Sequence, residues 1–210
     1  MSGIAFKRYV VLIGNYGSGK TELALNIAAD AAKQGKEAVL VDMDIVNPYF
    51  RSSSKKEELQ SLGIRVIHPG YANSMTEVIS LPPEIYAPFD VPPDRAVFDV
   101  GGDATGASAL GMLKDRFAAV KDDIEFLFVI NPARPLQKDA GSIIAIMDEI
   151  EQAGSVKITG LINNANLARE TDMEMIVSAE NLVDQISALT GIPVRFTAVR
   201  EDLVPAYTCR

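Results

Sequence analysis

Tyr9-Val10-Val11-Leu12-Ile13 runs directly into Gly14-Asn15-Tyr16-Gly17-Ser18-Gly19-Lys20-Thr21, and the alanine- and leucine-rich stretch Thr21–Gln34 follows at once. Five consecutive apolar residues without alternation read as a strand buried on both faces. The stretch beyond has helical periodicity and stops at Gly35. The eight residues between them match Gly-x4-Gly-Lys-Thr, the pattern of a phosphate-gripping loop that sits between a strand and a helix. Its glycines allow successive N–H groups to point into one concavity, and the following helix presents its positive end to the anion. Lys20 is placed to reach the β- and γ-phosphates, and the Thr21 hydroxyl to ligate magnesium. Gly14, Asn15, Tyr16, Gly17, Ser18, Gly19, Lys20 and Thr21 are therefore candidate nucleotide-binding residues, with Lys20 also catalytic and Thr21 also a metal ligand.

Outward from this loop the same rhythm repeats. Short valine- and isoleucine-rich runs occur at Ala38–Asp42, Ile64–Ile67, Ala96–Val100, Glu125–Ile130, Lys157–Ile162 and Val194–Val199. Helical stretches lie between most of them. Ser54–Leu62 opens with Ser54 and Glu57 in capping-box spacing and ends at Gly63; Thr171–Thr190 opens with Thr171 and Glu174 in the same spacing and stops at Gly191. Strands alternating with helices predict an α/β fold, a mostly parallel seven-stranded sheet with helices on both faces joined by right-handed crossovers. The expected organisation is one domain over 1–210. Pro69–Asp94 breaks the rhythm with Pro82-Pro83, Pro88 and Pro92-Pro93, and reads as a loop-rich excursion with a short helix near Ser74–Ile79.

Two predicted strands end in acids: Val41-Asp42-Met43-Asp44 and Phe98-Asp99-Val100-Gly101-Gly102-Asp103. In a parallel sheet the C-terminal strand ends share one edge, where ligands bind. Asp42, Asp44, Asp99 and Asp103 should therefore converge beside the phosphate loop, to hold a metal and position water. Turn-forming or helix-capping aspartates are the plainer account of the same residues.

With the loop and both acidic strand ends in view, the chain resembles the MinD/ParA/nitrogenase-iron-protein group of P-loop ATPases (the SIMIBI class) over essentially its whole length. The resemblance implies that Asp44 orients the attacking water, that Asp99 holds magnesium through water, and that Gly102 senses the γ-phosphate through its N–H. It further implies that Asp103 moves when that phosphate leaves. Asp42, converging from the other acidic strand end, is a further candidate metal residue. Gly160-Leu161-Ile162-Asn163-Asn164 resembles the segment whose asparagine reads adenine, Asn164 above all with Asn163 next to it. Val199, Arg200 and Glu201 fall where the group packs a loop over the purine. The cofactors implied are ATP/ADP and Mg2+. The group also departs from this chain in places. The second lysine that MinD and ParA carry is Asn15 here, the cysteine of the iron proteins is Gly106, and the amphipathic tail of MinD has no counterpart in Glu201–Arg210. A nucleotide-dependent homodimer is thus possible only without that lysine, and an iron–sulfur cluster is not expected.

The remaining sequence narrows the partners. A net charge of −8 on 210 residues, with lysines and arginines single or in pairs, argues against a nucleic-acid partner. The lone cysteine, Cys209, and the absence of a long apolar run point to a cytoplasmic protein with no membrane partner. Asn47-Pro48-Tyr49-Phe50-Arg51 offers a partner contact, an arginine (Arg51) that approaches the γ-phosphate, or a loop packed on its own aromatics. Asn131-Pro132-Ala133-Arg134-Pro135 reads as a loop–helix junction, and His68 as a turn residue. The expected function is a slow ATPase serving as a nucleotide-controlled switch for a protein partner. The alternatives are a small-molecule kinase or ATP-driven ligase of the same fold, and a nucleotide-dependent scaffold without hydrolysis. GTP is disfavoured because no Thr/Asn-Lys-x-Asp guanine motif occurs at the relevant strand end.

Overall fold

In the computed structural model, residues 4–44, 53–68, 82–102, 104–134 and 139–207 are described. Seven strands form one sheet: β1 (Tyr9–Ile13), β2 (Ala38–Met43), β3 (Ile64–Ile67), β4 (Arg95–Val100), β5 (Ile124–Ile130), β6 (Gly160–Asn163) and β7 (Val194–Thr197). They lie in the order β3-β2-β4-β1-β5-β6-β7, and every neighbouring pair is parallel. The five central strands are buried from end to end, and their side chains are mostly apolar on both faces, with Asp42, Arg95, Asp99, Glu125 and Asn163 the buried exceptions. β1 sits in the middle, between β4 and β5. The loop that follows it therefore opens at the centre of the sheet's C-terminal edge.

Each face has its own helical cover. Val10, Leu12, Leu40, Val97 and Val129 point towards α1 (Lys20–Lys33), where Leu23, Ala24 and Ile27 meet them; α2 (Ser53–Ser61) adds Leu59 on the same side. On the opposite face Val11, Val41, Phe98 and Phe128 carry α4 (Ala104–Met112), α5 (Lys114–Ala119), α6 (Ala140–Gly154) and α7 (Met173–Thr190) through Leu110, Phe117, Ile143, Met147, Val183 and Ile186. The end of the proline-rich excursion docks there as well. A 3-10 turn, Pro83–Tyr86, leads into the short α3 (Ala87–Asp90), whose Phe89 stacks on Tyr9 at 5.4 Å and meets Phe98 at 5.6 Å. The helix expected near Ser74–Ile79 and the Asn47–Arg51 segment lie outside the described residues, as do Asp103 and Cys209.

Two of the element starts that differ from expectation have a clear local reason. β6 begins at Gly160 rather than Lys157, because the Ile158 amide donates to the Glu151 carboxylate at 2.7 Å instead of joining the ladder. The helix read from Thr171 begins at Met173. Asp172 caps it, accepting from the Met175 amide at 2.8 Å, while the Thr171 hydroxyl accepts from Leu167 N. Asp139 is likewise the N-cap of α6 and accepts from Ser142 N at 2.9 Å.

Candidate nucleotide site

The phosphate loop is built by close packing as well as by glycine freedom. Gly14 has φ +141°, and a Cβ there would stand 2.6 Å from the Val129 carbonyl oxygen of β5, so the chain can leave β1 only without a side chain. Gly19 is the N-cap of α1 with φ +89°, and a Cβ would meet Asn164 Nδ2 at 2.3 Å. That amide nitrogen donates to the Ser18 carbonyl at 2.7 Å, so the end of β6 fastens the loop from the side. The Ser18 hydroxyl is fully buried and, among the described residues, has no hydrogen-bond partner. Lys20 is also buried, and its ammonium donates to the carbonyls of Gly14 and Asn15, both at 3.0 Å. Asn15 folds back on the loop, its Oδ1 accepting from Tyr16 N at 2.7 Å. The Tyr16 ring is 71% exposed, which leaves it on the outer rim.

The acids converge through strand order. β4 lies between β1 and β2, so Asp99 is in register with Leu12 on one side and with Asp42 on the other. Registered residues of parallel neighbours share a face. Leu12 points towards α1, so Asp42 and Asp99 do too, below the first turn that carries Lys20 and Thr21. Both carboxylates are almost wholly buried. Burial raises the Asp99 carboxyl from its ordinary value to about 6; the Thr21 hydroxyl, hydrogen-bonded to it, and the Lys20 ammonium pull it back down, and Asp44 pushes it up. Asp44 is half-exposed, and its amide donates to Asp42 Oδ1 at 3.0 Å. Lys20, Thr21, Asp42, Asp44 and Asp99 thus form one cluster. Gly102 comes up against the loop from the β4 side: a Cβ on it would lie 2.5 Å from Tyr16 N.

The donors suit magnesium. A hydroxyl and two in-register carboxylates are hard oxygen ligands, and magnesium is ordinarily held by one or two such groups together with substrate phosphates and water.

The outer part of the site is looser. Asn163 is fully buried; its Nδ2 donates to the Ile176 carbonyl at 3.3 Å and its Oδ1 accepts from Ala165 N at 3.1 Å, which ties β6 to α7. The structure therefore turns Asn163 away from the loop and Asn164 towards it. Val199, Arg200 and Glu201 follow β7. The Arg200 guanidinium pairs with Asp202 and donates to the Ala168 carbonyl, joining the loops after β6 and β7. Asn131, passed over as a junction residue, is almost fully buried and bridges the ends of β5 and β6: Nδ2 donates to Asn166 O at 3.0 Å, and Oδ1 accepts from Asn166 N at 3.2 Å. Its single sequence signal was its place at the end of an apolar strand.

A glycine loop over a parallel sheet, with a buried lysine and acids on the neighbouring strand tips, defines a P-loop nucleotide-binding domain. Residues 9–201 match the model of the CobQ/CobB/MinD/ParA nucleotide binding domain, and the chain belongs to that family. No curated protein sequence matches the chain. Similar solved structures include FlhF complexed with GTP/Mg2+ at 17% identity and a TM-score of 0.60, covering 95% of this chain and 68% of that one. FtsY from Mycoplasma mycoides is similar at 15% identity and a TM-score of 0.57, covering 96% and 62%. The signal recognition particle 54 kDa protein from Aeropyrum pernix K1 in complex with GDP is 19% identical with a TM-score of 0.59, covering 94% of this chain and 42% of that one. The likeness to these three is one of fold, and the chain spans only part of each. No helix among the described residues is long and apolar enough to cross a membrane.

Proposed function

We propose that this chain is a magnesium-dependent ATPase whose nucleotide state is read by a protein partner. The observation that carries the reading is the Thr21 hydroxyl on the buried Asp99 carboxylate, with Lys20 and Asp44 close enough to shift that acid. Magnesium, when bound, neutralises charge on the β- and γ-phosphates and orients them. Thr21, Asp99 and Asp42 would hold it. The loop amides and Lys20 would hold the phosphates; the ammonium is pre-placed across the loop by two carbonyls that phosphate oxygens can replace. Asp44, the half-exposed acid of the cluster, orients the attacking water. Gly102, packed on the backbone of Asn15 and Tyr16, relays the state of the loop to the segment that follows it, which includes Asp103.

ATP rather than GTP is favoured by Asn164-Ala165-Asn166-Leu167, which lacks the lysine and aspartate of the guanine-reading motif. The loop of Val199, Arg200 and Glu201 supplies the other wall for the base. A cytoplasmic location and one domain over 1–210 accompany this reading.

Replacing Asp44 by alanine should leave ATP affinity within about threefold and slow hydrolysis by on the order of 10²-fold, measured by phosphate release. Unchanged turnover would remove Asp44 from the reaction. Light scattering with ATP against ADP tests whether the partner is a second copy of the chain.

A further inference from the structure

We propose that Arg134 is a catalytic residue supplied in cis, its guanidinium meeting the phosphoryl oxygens at the mouth of the Gly14–Thr21 loop. This inference rests on the hydrolysis reading above and names a residue which that reading does not use. The loop itself holds one cation, Lys20, in a chain of net charge −8. A triphosphate arriving there is repelled by the protein as a whole, and a second positive group at the rim offsets that field.

The placement is built from β5. Phe128 is in register with Ile13, so the residues after Ile130 emerge beside the phosphate loop. Pro132 removes one backbone degree of freedom from the turn there. The buried Asn131 removes more: its Oδ1 accepts from Ala133 N at 3.2 Å, and its carbonyl accepts from Arg134 N at 3.0 Å. The bonds from Asn131 to Asn166 hold this turn against the next strand end. The backbone of Arg134 is thus fixed while its side chain stays exposed, with Nε only 3.8 Å from where a Cβ on Gly17 would stand. Among the described residues the guanidinium has no hydrogen-bond or ion-pair partner. The phosphate loop stands beside this cation at Gly17 and can present a bound anion to it.

The chemistry suits arginine. Negative charge spreads over the non-bridging oxygens as the terminal phosphoryl group transfers, and a planar guanidinium can donate to two of them at once. The turn ahead of Arg134 bears the ordering cost before nucleotide arrives.

The test uses the full chain with Arg134→Ala and Arg134→Lys, and two readouts. Phosphate release gives kcat. Fluorescence of labelled ADP gives affinity with magnesium, and with magnesium plus aluminium fluoride, which mimics the transferring phosphoryl group. Arg134→Ala should keep ADP affinity within about threefold, lower kcat by on the order of 10²- to 10³-fold, and lose the tightening that aluminium fluoride gives the wild type. Arg134→Lys should recover only part of either. Wild-type kcat with wild-type tightening in Arg134→Ala overturns the proposal, as does an equal loss of ADP and analogue affinity with kcat unchanged. Lys20→Ala protein, which keeps Arg134, should not restore turnover when mixed with Arg134→Ala; restoration would place the arginine in trans. A wild type that binds ADP but never releases phosphate overturns the hydrolysis reading itself, which the variant measurements then separate from failure of Arg134 alone.

Discussion

The two ends of the candidate site are made differently. At the phosphate end, Gly14, Ser18, Lys20, Asp42 and Asp99 are buried, the loop is pressed against β5 and β6, and strand register puts the acids under α1. At the proposed base end, Arg200 and Glu201 follow β7, and Arg200 is held by polar bonds near the surface. Backbone amides and buried charges grip a phosphate, and those depend on the fold as a whole. A base is read by loop side chains, which can change without disturbing the sheet. On the proposed reading, the grip on phosphate therefore depends on the whole sheet, and the choice of nucleotide on loops that can vary without it.

The sharpest break of this contrast comes at Lys20. Lys20→Ala should weaken ATP binding by at least about 100-fold, read by calorimetry, since the buried ammonium has no substitute within the loop. Retained micromolar affinity would mean that the loop does not grip phosphate. Asp99 gives the next effect, in stability. Its folded-state value near 6 stands above the ordinary 3.8, so the folded protein keeps a proton there that the unfolded chain releases. The contribution of Asp99 is full below about pH 4 and is lost as pH rises through about 6, a change of up to roughly 3 kcal/mol without magnesium. Asp99→Asn should flatten that decline in denaturant unfolding and raise stability near pH 8, while removing the stabilisation that added magnesium gives the wild type. A variant as pH-sensitive as the parent would show that the carboxylate is not the cause. The smallest effect belongs to the proposed base end: Arg200→Ala breaks exposed bonds, should leave the unfolding midpoint nearly unchanged, and should change ATP affinity by a few-fold at most, with a larger change in the ATP-to-GTP preference. A loss there as deep as that at Lys20 would erase the contrast between the two ends.

Much of this was legible in one dimension. Tyr9–Thr21 announces strand, loop and helix because its signals are local: an unbroken apolar run, glycines at fixed spacing, then helical periodicity. The parallel sheet follows from the alternation of such segments. The helices over 104–119 and 140–154 were less marked, since Asp139 looks like any surface acid until its carboxylate is seen capping Ser142 N. Thr171 and Glu174 misled by a capping pattern one residue out of place. At that junction the neighbouring Asp172 had the backbone geometry to accept the bond.

The sequence by itself determined that a phosphate loop sits between a buried strand and a helix, and that acids end two other strands, because each of these is a pattern of near neighbours along the chain. Only the tertiary structure decided that β4 lies between β1 and β2, so that Asp42 and Asp99 stand side by side beneath Thr21. It likewise decided that Asn164 rather than Asn163 faces the loop, and that Arg134 reaches Gly17. Those juxtapositions come from burying two apolar sheet faces under two layers of helices, and the strand order that this burial selects leaves no periodicity in the chain from which it could be read.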